Sequence, residues 1–130
     1  MVSLPVVPDD STASAVMPNG LFYQLVTWSG TGYVSSTEFE AGRGYWLLVL
    51  EDVNVTVSGQ PVDSLTLNLS MGWNMVGGTI NEVEADDVFS GFYQLVTWSG
   101  TGYVPATVFE PGKGYWALVL VNTEIELPSN

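Results

Sequence analysis

Leu65, Leu67 and Leu69 alternate with Thr66, Asn68 and Ser70, a period of two that predicts a half-buried β-strand. Val53, Val55 and Val57 alternate with Asn54 and Thr56 in the same way, and Ile125 and Leu127 with Glu124 and Glu126. Residues 22–28 and 92–98 are rich in aromatic and β-branched side chains and read as further strands. Residues 45–50 and 115–120 are apolar at successive positions, the pattern of a central strand covered on both faces. Glycines punctuate these runs: Ser29-Gly30-Thr31-Gly32 and Ser99-Gly100-Thr101-Gly102 predict hairpin loops, and Gly42-Arg43-Gly44 and Pro111-Gly112-Lys113-Gly114 predict turns before the central strands. No stretch sustains a helical period. Residues 82–89 can form one helical turn, because Glu84, Asp86 and Asp87 suit a helix start. The expected fold class is all-β, with short strands in a small sandwich or barrel.

A repeat organises these elements. Residues 22–34 recur without a change at 92–104, an offset of 70, and across 22–57 and 92–127 there are 23 identities in 36 positions. Two tandem copies follow, 1–60 and 61–130. The second opens with residues 65–78, through Leu69, Gly72, Trp73 and Asn74 to Met75 and Val76. Met1 and Val2 align with Met75 and Val76 once four extra residues are placed in the loop before Phe22, and nothing then corresponds to 65–74. The tryptophans agree: Trp73, Trp98 and Trp116 in the second copy, but only Trp28 and Trp46 in the first. The first repeat is therefore expected to lack its opening strand and to expose an unpaired edge and an apolar groove. Such an edge is a template for another chain. The expected donor is an extended terminus of a neighbouring molecule, either 1–7 or 124–128, in a head-to-tail arrangement that yields a filament. In the competing arrangement the two copies share strands inside one barrel and leave no vacancy.

Composition narrows the chemistry. The chain of 130 residues is 46% apolar, with five Trp, six Tyr and five Phe, which supplies a packed core. Fourteen Asp and Glu face only Arg43 and Lys113, for a formal charge of −12. That balance argues against nucleic acid, whose phosphates require clustered cations, and against anionic membrane surfaces. No run reaches the roughly 18 apolar residues that span a bilayer, so membrane insertion is not expected. Cys and His are absent, which removes their nucleophilic, general-base and zinc-ligand chemistry. Residues 1–20 have no basic segment and no continuous apolar core, so they do not read as a signal peptide.

Gly72-Trp73-Asn74, followed some forty residues on by Gly112-Lys113-Gly114-Tyr115-Trp116, resembles a repeat of bacterial and archaeal surface and secreted proteins. In that family Gly-Trp-Asn opens the unit and Gly-Lys-Gly-Tyr-Trp closes it. The resemblance covers nearly the whole chain, twice, although the first copy lacks Gly-Trp-Asn. It implies an extracellular or cell-surface location and a structural or adhesive role, without chemistry.

Candidate site residues are few. Glu40 with Arg43, and Glu110 with Lys113, are repeat-equivalent and fit ion pairs across tight turns. Trp28, Tyr33, Trp98 and Tyr103 flank the hairpin loops and suit either core packing or stacking on sugar rings. Asn54-Val55-Thr56 and Asn68-Leu69-Ser70 fit the N-glycosylation pattern, so Asn54 and Asn68 are acceptor candidates. No cofactor is expected. Glu82, Glu84, Asp86 and Asp87, with Asp9 and Asp10 in the equivalent loop, offer oxygen ligands to calcium but lack the Asp-x-Asp-x-Asp-Gly spacing. Paired carboxylates for glycoside hydrolysis would need unlike environments, and Glu40 and Glu110 share one. The leading expectation is a non-catalytic, extracellular structural module that self-assembles as a fibre, filament or surface layer. The alternative is a carbohydrate-binding or adhesive module of a larger surface protein.

Overall fold

Strands dominate the computed structural model, which describes residues 1–18 and 23–128. The first half runs β1 (Val6–Pro8), a single helical turn α1 (Ala13–Val16), β2 (Tyr23–Trp28), β3 (Tyr33–Ser35), β4 (Trp46–Val49) and β5 (Gly59–Pro61). The second runs β6 (Leu65–Leu69), β7 (Gly72–Gly77), β8 (Val83–Glu84), the turn α2 (Ala85–Val88), β9 (Tyr93–Trp98), β10 (Tyr103–Pro105), β11 (Val108–Phe109), β12 (Gly114–Val119) and β13 (Thr123–Leu127). The expected all-β class is what the chain adopts. The helical turn foreseen within 82–89 is α2; α1, its counterpart, was not expected, because Ala13–Val16 carries no acidic start.

The shared sequence makes shared pairing. Trp28 pairs with Tyr33 as Trp98 pairs with Tyr103, and Val26 pairs with Trp46 as Val96 pairs with Trp116. Each hairpin loop is closed by the same bonds, with Ser29 or Ser99 Oγ donating to the carbonyl of Gly32 or Gly102 at 2.9 Å. Gly30 and Gly100 sit at φ 105° and 103°, a conformation that L side chains rarely adopt. Buried Thr27 and Thr97 each donate to the carbonyl of Gly44 or Gly114 at 2.8 Å. Phe22, the first residue of the identical run, lies outside the described residues.

The copies differ where the first lacks sequence. In the second, β12 is central, flanked by β9 on one side and β7 on the other. In the first, β4 pairs with β2 alone. On its other side β4 itself has no partner among the described residues; just before it Tyr45 meets Val2, with bonds of 2.8 Å in both directions, and Arg43 bridges to Val76. Val76 meets Tyr115 in the same register, which fixes the equivalence of Val2 with Val76. The strand expected at 53–57 forms no ladder. Its counterpart β13 is held by β6, Ile125 opposite Leu67 and Leu127 opposite Leu65. Among the described residues the first copy has no such partner for 53–57.

The halves interlock through the same two segments. Gly44 N–H donates to Met75 O at 3.2 Å, and Gly114 N–H to Met1 O at 3.1 Å; Gly77 N–H donates to Gly42 O at 2.9 Å, and Ser3 N–H to Gly112 O at 3.0 Å. These matched pairs describe a local pseudo-two-fold arrangement in which each copy's opening strand bonds to the other's turn. Strand sharing is thus present, but it does not close the edge of β4.

Burial follows the pairing. Leu67, Leu69, Ile125 and Leu127 join Val76, Leu95, Phe109 and Tyr115 in the core of the second half. Among the described residues, the core cluster of the first half is smaller: Ala13, Leu25, Phe39 and Tyr45. Val55 and Val57, which correspond to Ile125 and Leu127, line an open pocket of about 420 Å³ with Val16, Met17, Phe39 and Leu47. Leu48 on β4 is 51% exposed, so this strand is not the doubly covered one that its apolar run predicts.

Candidate functional site

Two features stand out from this frame: the uncovered side of the first repeat and an aromatic face. The first is a groove beside β4 and the 53–57 segment. It is apolar because its walls repeat those of the second core, and it is open because, among the described residues, Met1, Val2 and Ser3 take the place of the end of β7 and none takes that of β6. The termini expected to act as donors are both engaged at home. Val2 bonds Tyr45, β1 pairs with β5, and β13 is paired along its length with β6. Ile125 and Leu127 are buried, so releasing 124–128 would open the second core.

The aromatic face is built from residues of β2, β3, β4, β7, β9, β10 and β12. Trp28 and Tyr33 meet edge to face at 5.3 Å, and Trp98 and Tyr103 at 5.2 Å. Each pair reaches across to the tryptophan of the other half: Trp28 to Trp116 at 5.6 Å, and Trp98 to Trp46 at 5.5 Å. Offset and T-shaped contacts of this kind stabilise beyond the area they bury. The indole N–H of Trp46 donates to Tyr33 Oη at 3.4 Å, and that of Trp116 to Tyr103 Oη at 3.3 Å. Trp73 adds to one end only, at 6.4 Å from Trp116. Of the four aromatics singled out by sequence, Trp28, Tyr33 and Tyr103 line one cleft, whereas Trp98 faces Trp46. The cleft also takes Trp73, Trp116 and Gln94, which the hairpin-loop criterion passed over. Trp73 and Trp116 sit inside the Gly-Trp-Asn and Gly-Tyr-Trp motifs, and that was the available signal.

Arg43 Nε lies 2.9 Å from Glu40, and Lys113 Nζ 2.8 Å from Glu110, all with exposed side chains. Next to each pair a tyrosine hydroxyl accepts the backbone N–H of the glutamate: Glu40 to Tyr45 and Glu110 to Tyr115, both at 2.7 Å. Burial holds the Tyr45 and Tyr115 hydroxyls above the usual tyrosine range. In the acidic loop, Tyr93 donates to Asp86 and is pushed up to about 12 by that bond first and by burial second. Glu82, Glu84 and Asp87 border a shallow hollow there, and Asp10 caps Thr12 in the equivalent loop of the first copy. Among the described residues no group of three or more acidic side chains converges as metal ligands. Asn54 and Asn68 are both exposed, Asn68 on β6 opposite Glu124. No helix among the described residues is long and apolar enough to cross a membrane. Comparison with family models, curated proteins and solved structures finds no match to this chain.

Proposed function

We propose that this chain is a non-catalytic structural module of an extracellular assembly, joined to further copies of itself through the open edge of its first repeat. The observation that carries the proposal is β4, paired on one side only, beside a 53–57 segment that has no ladder, while every counterpart in the second repeat is paired. Unpaired backbone groups on an apolar edge favour strand addition. The forgone burial is substantial: Leu67 and Leu69, the buried leucines of β6, are worth about 3–6 kcal/mol before the cost of ordering them. Because both termini are engaged, the association that leaves no new vacancy behind is edge-to-edge pairing of β4 with β4 of a second copy, rather than release of a terminal strand. Exposed Leu48 and Leu50 lie along that edge.

The test fuses an extra copy of residues 65–74 directly before Met1, the position that the Val2 and Val76 registers define. Light scattering coupled to size exclusion should find the unmodified chain associated at high concentration and the fusion monomeric. A monomeric unmodified chain at high concentration, or a fusion that associates equally well, would refute the reading.

A further inference from the structure

The aromatic cleft has properties that assembly does not use. It has a volume of about 470 Å³ and is lined by Trp28, Tyr33, Trp73, Gln94, Val96, Tyr103 and Trp116. Tyr33 is 51% and Trp73 43% exposed, so a folded chain leaves large ring surfaces in water. These rings are held in place. Trp28, Tyr33 and Trp116 brace one another edge to face, and Tyr103 Oη is fixed by the Trp116 indole. A phenol that accepts one bond still has its own O–H to donate. Tyr33 and Tyr103 thus present hydroxyl donors at the rim, and the Gln94 amide adds a donor and an acceptor.

None of the lining residues is charged, although the chain carries −12. The cleft therefore offers aromatic surface, a few neutral hydrogen-bonding groups and no counter-charge. A pocket of this kind takes a ligand that is neutral, flat and apolar on its face, and polar around its edge. A pyranose ring has that chemistry: axial C–H groups on its face and hydroxyls around its equator. A quaternary ammonium lacks the polar edge and would be favoured by a carboxylate that the lining does not supply. We infer that the Trp28–Trp73–Trp116 cleft is a binding site for a neutral saccharide, with the exposed Trp73 indole, braced edge to face by buried Trp116, as stacking surface and Gln94, Tyr33 and Tyr103 as hydrogen-bonding groups. The pseudo-two-fold-related end has Trp46, Trp98 and Gln24 but, among the described residues, no counterpart of Trp73.

The experiment titrates the intact chain, at a concentration where it is monomeric, with neutral hexasaccharides of glucose, xylose, mannose and N-acetylglucosamine. Tryptophan fluorescence and calorimetry report binding. At least one sugar should bind saturably at one site per chain. Trp73→Ala should weaken it at least tenfold and Gln94→Ala severalfold, both with unchanged circular dichroism. Gln24→Ala, at the pseudo-two-fold-related end, should leave affinity unchanged. Failure of every sugar to bind, binding that is indifferent to Trp73→Ala, or binding of choline or a proline-rich peptide in place of sugar would overturn the assignment. None of these outcomes depends on association through β4.

Discussion

The interlock of the two halves can be tested at one point of contact. Ser3 and Gly77 occupy matching positions, each bonded to the other half's turn, and they face each other closely. A Cβ built on Gly77 would fall 2.2 Å from Ser3 Cβ and 2.4 Å from its Oγ, with the next neighbour, Arg43 O, at 3.4 Å. Gly77 is not in the left-handed region, so its need for glycine is steric. Gly77→Ala should cost about 3 kcal/mol, the upper end of ordinary overpacking, because the obstructing atoms sit on a short side chain fixed to a bonded backbone. Ser3→Gly alone should cost about 1–2 kcal/mol, through the lost 2.7 Å hydrogen bond to Lys113 O and the added backbone freedom. In the double variant the clash is gone, so its cost should fall well below the sum, with a coupling of about 2 kcal/mol. Urea unfolding followed by tryptophan fluorescence supplies the four stabilities. Additive effects, or a Gly77→Ala variant within about 0.5 kcal/mol of the parent, would mean that the opening strands of the halves do not meet here.

Replacing Glu40 and Glu110 together by Gln should lower stability by no more than about 1 kcal/mol, since both ion pairs are solvent-exposed; a larger loss in thermal unfolding would give these turns more weight than their exposure allows. Alkaline titration at 295 nm should show Tyr45, Tyr93 and Tyr115 ionising above the ordinary tyrosine value of about 10, and Tyr93→Phe should remove the component near 12. Because the folded chain holds these protons more tightly than the unfolded one, their stabilising contribution is complete below about pH 10 and declines as pH rises through the folded values. A chain whose stability rises over that interval would contradict the assignment.

Much of the fold was legible because the repeat supplied its own control. The leucine alternation at 65–69, the isoleucine and leucine of 125–127 and the identical hairpins all form the strands that their periods predict. Residues 53–57 carry the same alternation and form none. A period of two states which face a strand would bury, not whether a neighbour exists to bond it. For β13 that neighbour is β6; for 53–57 none of the described residues takes that place. The apolar run of 45–50 misled for the same reason, since coverage belongs to the pairing partner and not to the strand itself. The aromatic cleft was half legible. Repeat-equivalent pairs such as Trp28 and Tyr33 were visible as local units, but their crossing to Trp116 depends on how two copies meet, and no spacing within one copy encodes that.

The open edge and the single cleft have one origin. In the second repeat Trp73 stands opposite Leu118 on β12, beside Trp116 and near Gln94. Carried through the register that matches Val2 to Val76, the same position in the first repeat falls opposite Leu48, beside Trp46 and Gln24. Leu48 is exposed there. A strand hairpin of the β6–β7 kind that completed the first repeat would therefore do two things at once. It would pair the free side of β4, and it would set an indole where the pseudo-two-fold-related end lacks one. Closure of the edge and formation of a second aromatic cleft are then the same structural event, so any device that covers β4 without a tryptophan at that register separates assembly from binding.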